Sequence, residues 1–557
     1  MSSEAAAPPH ALTAVADRLR RARDTISAVR PLHALGVLLG LQWLALLALA
    51  LTVKHNGWLY YAGGDQIWHY SGAYMLAHGH LAPAYVGYGW SVLLLPVALI
   101  AGPNLVSALP AMVLLNTLVL LPVALLCVYG IASRIAGRLF GYFTAALWIA
   151  LPYLGILFVE PGYHQKYTEL TLPQVLGLTS VPDFPATVAL LVSAYFCLRT
   201  LESASWYTGA AAGLAAGYSI AIKPSNSIFL VAPALFLLVE RRRALLWFAA
   251  GLAPALLTLA LWKYRGLGEL AAAPAEPVRV AGGVGDLLHR IHNPSLNSWE
   301  HLHQVLLGLR EHFWVARAME WLPLAGCVAL FARSRRGALL VASWFLVFLL
   351  VKGTYIPASV EDASFFRIMM PSFPAYLILA ASVVLLFPGV RARPEPQPSF
   401  AVSARRLTIG LATAIAIFVV FPLGVIAATP KLRDHGTQAV RIGDSLVPVS
   451  SGVDLRATAD GGGVRLNWRP QSDSTASAFY RVLRGAGHRV QGCGGTRGAD
   501  DCYLYVDPIA ATRTTSLVDR PGPGTWTYGI GVSANWLNDE SLGDVYVVSR
   551  TVTVTVR

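Results

Sequence analysis

The chain has little charge. Only 13% of its 557 residues are Asp, Glu, Lys or Arg, while 55% are hydrophobic; a soluble globular chain carries roughly 25% charged residues. That shortage excludes a purely soluble enzyme and a disordered protein. Cysteine is also scarce, with five in the whole chain, which excludes a disulfide-dense secreted scaffold. Acid is the scarcer sign, 30 Asp and Glu against 43 Lys and Arg. The basic excess does not point to nucleic acid, because no basic stretch is interleaved with exposed aromatics.

What the chain has instead is apolar runs. A span needs about 20 such residues, and runs of suitable length lie at 31–53, 105–132, 139–159, 184–198, 205–222, 225–239, 244–262, 313–332, 337–351, 371–387 and 407–428. The expected fold class is therefore a polytopic α-helical membrane protein of about eleven spans. Residues 90–101 are too few to cross and read as an interfacial or re-entrant helix. With that assignment the arginine clusters all face the cytoplasm: Arg18–Arg23, Arg134 and Arg138, Arg241–Arg243, Arg333–Arg336, and Arg391–Arg406. That is the positive-inside bias. Counting 90–101 as a span inverts every later loop and puts those clusters outside. Residues 1–30 read as a cytoplasmic segment with no cleavable signal.

After Pro430 the pattern changes to a period of two, as in Val464-Arg465-Leu466-Asn467-Trp468 and Val552-Thr553-Val554-Thr555-Val556. Turn signals such as Asp460-Gly461-Gly462-Gly463 separate these runs, which predicts a β-sandwich. The domains expected are 1–30 cytoplasmic, 31–429 transmembrane, 430–452 linker and 453–557 sandwich. Cys493 and Cys502 lie close together in the tail and read as a disulfide in an oxidising compartment. Cys127, Cys197 and Cys327 sit in apolar runs and read as small buried hydrophobes.

An ionisable residue at membrane depth is a functional candidate. Four lie at the outer face on this topology: Asp65, Asp183, Lys223 and Arg367. A carboxylate there can take the proton of an acceptor hydroxyl. A lysine and an arginine can hold a phosphate leaving group. Each also has a plainer reading. Asp65 and Asp183 suit helix N-caps, Lys223 suits a snorkelling side chain, and Arg367 suits an anchor before a span. Glu160, His164, Lys166 and Glu169 crowd the second outer loop and read mostly as solvated.

The first part, residues 31–390, resembles the GT-C superfamily of membrane glycosyltransferases, closest in pattern to its protein O-mannosyltransferase and aminoarabinose-transferase type. Gly64-Asp65-Gln66 with Tyr70, then Leu76-Ala77, Gly79 and His80, resembles the first-loop acidic motif and its amphipathic helix. Gly87-Tyr88-Gly89-Trp90 before Leu93-Leu94-Leu95-Pro96 resembles a segment lying at the outer surface. Asp183 stands where a second acidic residue is common. Gly213 to Gly217 followed by Lys223-Pro224-Ser225-Asn226 resembles a glycine-rich span ending in lysine. Arg367 with Pro371 and Pro374 resembles an Arg-Tyr-x-x-Pro-x-x-Pro stretch. Gln66 replaces a second acid and Ile368 the usual tyrosine. The tail from 453 resembles a fibronectin type III domain.

That resemblance implies an inverting glycosyltransferase that moves a hexosyl or pentosyl group from a polyprenyl-phosphate donor to an extracytoplasmic hydroxyl of a glycan, lipid or protein. Asp65 is the implied base, Asp183 assists at the donor or acceptor sugar, and Lys223 and Arg367 hold the donor phosphate. A divalent metal stays open as a cofactor. The expected location is a bacterial plasma membrane, with the tail outside and over the opening. The rival readings are a transporter or flippase of lipid-linked saccharide and a non-catalytic membrane anchor for adhesion. No repeated halves support the transporter, and an anchor needs a single span.

Overall fold

The structure is a computed structural model of the chain. It describes residues 25–52, 64–77, 79, 81, 84, 86–101, 105–202, 205–267, 297–387, 390, 404–430, 439–442, 445–450, 452–471, 479–486, 507–512, 514–533 and 545–557. The expected cytoplasmic segment lies mainly outside the described residues, as does the Pro-rich inner loop. The expected Cys493–Cys502 pairing lies wholly outside them.

Helices carry the chain up to Pro430. α1 (Pro31–Thr52) leads to α2 (Gly64–Ala77) and to two short helices, α3 (Tyr88–Leu93) and α4 (Leu95–Ala101). Then come α5 (Ala108–Ala136), α6 (Arg138–Phe158) and α7 (Asp183–Glu202). α8 (Trp206–Ile222), α9 (Pro224–Glu240) and α10 (Arg242–Leu267) follow. The last group is α11 (Trp299–His312), α12 (Ala316–Arg333), α13 (Arg335–Lys352), α14 (Ser364–Leu386) and α15 (Thr408–Ala428). Every expected span has a helix at its place. Seven of these, α1, α5, α6, α7, α10, α14 and α15, are at once long and apolar enough to cross a membrane. α3 and α4 have 6 and 7 residues. At about 1.5 Å per residue each covers roughly a third of a bilayer core.

The interior belongs to α7 and α14, whose apolar windows are 67% buried, whereas those of α1 and α10 are 17% and 22% buried. The outer helices thus present their apolar sides to lipid. α8 packs against α10 through small residues. A Cβ on Gly213 would overlap the backbone carbonyl oxygen of Phe248, and one on Gly251 that of Ala210. Close helix approach of this kind depends on small residues, since apolar side chains gain nothing by leaving lipid.

α7 sets the vertical scale. Its C-terminal Glu202 bonds Arg134 at 2.7 Å and Arg199 at 3.4 Å, and Arg241 donates to the Thr200 carbonyl oxygen. Nearby, Arg336 pairs with Glu240 at 2.9 Å. Arg134, Arg199 and Arg241 therefore gather at one end of α7. Asp183 is at the other end of this 20-residue helix, about 30 Å away along its axis.

Among the described residues the tail forms ten strands: β1 (Ala439–Ile442), β2 (Ser445–Ser450), β3 (Val453–Asp460), β4 (Gly463–Pro470), β5 (Phe479–Ala486), β6 (Asp507–Thr512), β7 (Ser516–Asp519), β8 (Gly524–Ser533), β9 (Val545–Ser549) and β10 (Val552–Val556). One sheet runs β3-β4-β7; the other runs β1-β2-β9-β8-β5-β6, with β10 also beside β8. Strands β3 to β10 make the two-sheet arrangement of a fibronectin type III-like sandwich. The period of two fills its core: Val464, Leu466 and Trp468 from β4 are buried with Tyr480, Val482, Tyr528 and Ile530 from the other sheet. The Trp468 ring meets Tyr480 edge-on at 5.9 Å.

The stretch read as a linker, 430–452, contains β1 and β2, which pair antiparallel with each other, and β2 pairs parallel with β9. The hairpin extends the sandwich, and β2 and β9 both pack against α2. The Leu81 amide also donates to the Pro430 carbonyl oxygen at 2.7 Å, tying the end of the last span to the first loop.

Candidate active site

Three helices, α2, α7 and α14, and the break between α8 and α9 bring four charged side chains together at the end of α7 away from Arg134 and Arg241. Arg367 is central. Its Nε donates to Asp183 Oδ2 at 3.0 Å, and its Nη2 is paired with Asp65 Oδ2. Lys223 Nζ takes the other oxygen, Asp183 Oδ1. All four residues expected from the sequence thus lie in one ion-pair chain, Asp65–Arg367–Asp183–Lys223. Two carboxylates balance two cations.

Local sequence explains each position. Asp183 opens α7, with Pro185 in the first turn, where its missing N–H costs no helix bond. Pro224 forbids helical backbone at the residue before it, so Lys223 is extended at φ −133°, ψ 95°. The chain breaks there between α8 and α9, and the amine is turned towards Asp183. Asn226 Nδ2 donates to Ser219 Oγ at 3.0 Å, which donates to the Ala186 carbonyl oxygen at 2.9 Å. That relay fixes the break against α7. Ahead of Arg367, Asp362 Oδ1 accepts the Ser364 amide at 2.9 Å, and Ala363 takes the left-handed conformation at φ 62°. A non-glycine residue adopts that conformation only where its surroundings impose it.

Exposure separates the roles. The side chains of Asp183, Arg367, Lys223 and Asp65 are 0%, 16%, 18% and 33% exposed. Asp183 is fully buried, and its oxygens bond side chains, Oδ1 with Lys223 and Oδ2 with Arg367, so it is not a simple helix cap. Asp65, in the first turn of α2, is the accessible carboxylate.

Gln66, which stands in place of a second acid, is buried beside Asp65 and accepts a hydrogen bond from Ser180 Oγ. Other residues were not singled out from the sequence. His69, one turn further along the same face of α2, is 2% exposed. Burial, with Lys223 and Lys263 adding to it, pushes its imidazole down to about 3, so it is uncharged. Its signal was the four-residue spacing from Asp65. Lys263, also buried, donates to the Ala84 carbonyl oxygen and anchors the first outer loop. Asn116, in an apolar run, donates to the carbonyl oxygens of Gly177 and Thr179 at 2.9 and 3.1 Å. It fixes the turn that delivers Asp183.

An apolar cavity of about 700 Å³ lies between α6, α11, α12 and α14. Trp148, Leu309, Phe313, Phe365, Phe366 and Met369 line it. Phe365 and Phe366 precede Arg367 in α14, while the four charged residues are not part of the lining. Its charged lining residue, Glu320, is held by Arg310 through two bonds of 2.6 and 2.8 Å.

At the same face Glu361 binds Lys166 at 2.8 Å and His312, whose ring stacks on Tyr163 at 4.5 Å. Two of the loop residues read as solvated, Lys166 and Glu169, have partners: Lys166 Nζ bonds Glu361, and Gln165 Nε2 donates to Glu169 at 3.1 Å. Among the described residues, no group of three or more His, Cys, Asp or Glu is arranged to hold a metal ion.

No protein-family profile and no curated protein matches the sequence. Two solved structures are similar to it. One is ArnT from Cupriavidus metallidurans bound to undecaprenyl phosphate, 14% identical over 70% of this chain and 76% of that one, with a TM-score of 0.38. The other is the oligosaccharyltransferase of Archaeoglobus fulgidus in its apo form, 14% identical over 72% of this chain and 56% of that one, with a TM-score of 0.37.

Proposed function

We propose that the chain is a membrane glycosyltransferase that moves a sugar from a polyprenyl-phosphate donor to an acceptor hydroxyl on the extracytoplasmic side. The observation that carries this reading is the meeting of an accessible carboxylate, Asp65, with Arg367, on a helix whose Phe365, Phe366 and Met369 line an apolar cavity of about 700 Å³. A lipid-linked sugar needs those three things together: room for the chain, a cation for the phosphate and a base for the incoming alcohol. The positive-inside bias supports the sidedness, since the arginine clusters lie at the far end of α7.

In this reading the isoprenoid chain lies in the cavity beside Phe365 and Phe366. The donor phosphate sits at Arg367, with Lys223 near it. Asp65 takes the proton of the acceptor hydroxyl. The acceptor oxygen bonds to the anomeric carbon as the bond from that carbon to the phosphate oxygen breaks, and the electron pair leaves with the lipid phosphate. Arg367 stabilises the charge that develops there, an effect worth about 3 kcal/mol for a well-placed donor. A single displacement inverts the anomeric configuration. Asp183 keeps both cations in position throughout.

The sandwich packs against α2, which carries Asp65, and in this reading it holds that helix and borders the acceptor's approach. The experiment is transfer by the purified full chain from a labelled polyprenyl-phosphate sugar. Asp65→Asn is expected to abolish transfer while the protein remains folded. Transfer retained in that variant removes Asp65 from the base role. Unchanged lipid-linked sugar delivered to the opposite leaflet of a vesicle would establish a transporter instead.

A further inference from the structure

We propose that Asp65 holds the guanidinium position that the donor phosphate needs, so that donor binding and release of the base are one event. This rests on the reading of the site as a polyprenyl-phosphate glycosyltransferase and adds an internal competition to it.

Arg367 has one nitrogen, Nε, on the buried Asp183 and another, Nη2, on Asp65. The first contact is permanent on structural grounds. Asp183 is fully buried, shared with Lys223 and placed by the start of α7. The second is replaceable. Asp65 is a third exposed and belongs to the first turn of a helix outside the spans. A phosphate that takes Nη2 of Arg367 has to displace Asp65 from it. Phosphate and carboxylate want the same planar N–H donors.

Two consequences follow. A carboxylate paired with a guanidinium is a poor proton acceptor, because the cation stabilises its charged form. Acceptor alcohol arriving first therefore meets a base already engaged. Once phosphate has taken Nη2, Asp65 is released beside the anomeric carbon. Substrates then add in order, donor before acceptor. After transfer Asp65 carries the acceptor's proton and cannot return to Arg367 until it loses it. Its return then helps displace the lipid phosphate.

The test is the affinity of the full chain in nanodiscs for undecaprenyl phosphate without sugar, comparing wild type with Asp65→Asn and Asp65→Ala. Competition predicts tighter binding in both variants, by about tenfold if the lost pair is worth about 1.4 kcal/mol. Inorganic phosphate, which lacks the chain, is expected not to displace the lipid. Unchanged or weaker binding in both variants overturns the competition, even if Asp65→Asn has lost transfer as expected of a base. Failure of wild type to bind the lipid phosphate at all overturns both this proposal and the function it rests on. Steady-state kinetics gives an independent reading: an acceptor analogue that inhibits uncompetitively against donor supports the ordered addition, and a competitive or random pattern refutes it.

Discussion

Replacing Asp183 by asparagine keeps the volume and removes the charge that two cations share. Breaking a buried ion pair by removing one partner typically costs about 3–5 kcal/mol, because the remaining charge stays desolvated. Here the lower end applies. Arg367 keeps Asp65, and Lys223 is 18% exposed, so water reaches it. The expected loss is about 3 kcal/mol. Pairing the change with Lys223→Met removes the orphaned ammonium. The double variant should then be less destabilised than the sum of the single ones, by about 1–3 kcal/mol, as expected of residues in one network. Reversible denaturation of the full chain in mixed micelles, followed by tryptophan fluorescence, reads both quantities. If Asp183→Asn unfolds at the wild-type midpoint, the buried carboxylate is not the hub described here.

Other consequences can be measured separately. Gly213→Leu forces α8 away from α10 and should lower the denaturation midpoint by more than Gly36→Leu, where nothing lies within 4 Å of the new Cβ. Trp468→Ala empties the centre of the sandwich and should cost about 3–5 kcal/mol, seen as earlier proteolysis of the tail. The bonds from Lys166 and His312 hold the Glu361 carboxyl below its usual range. A carboxyl with a lowered folded-state value stabilises above the ordinary pKa of about 4.3 and loses that contribution as pH falls through the folded value. The stability gap between wild type and Glu361→Gln should therefore be present at neutral pH and close as pH drops below that point. A gap independent of pH would show that charge plays no part.

The spans were legible because apolar runs and arginine clusters are strong, additive signals. Lys223 was legible because a lysine followed by proline interrupts two such runs and has few other reasons to be there. The mutual pairing of the four charged groups was not, since Asp65 and Arg367 are about 300 residues apart and only tertiary packing joins them. The pairing of Asp183 with two cations was hidden for the same reason. An aspartate before a helix looks alike in sequence whether it caps, catalyses or binds two cations. His69 sits in a helix whose composition also suits a solvated surface, so its four-residue spacing from Asp65 did not by itself reveal its burial. The β1–β2 hairpin was hidden by short strands and by Pro448, which reads as a loop residue yet stands within β2.

The 20-residue helix α7 is pinned ionically at both ends, by Lys223 and Arg367 at one and by Arg134 at the other. It therefore acts as a ruler. Helices held at one end answer a thicker or thinner bilayer by tilting or sliding, but this one cannot do either without breaking an ion pair. A change in acyl-chain length is thus passed to its neighbours as mismatch, and the charged centre registers the thickness of the membrane around it.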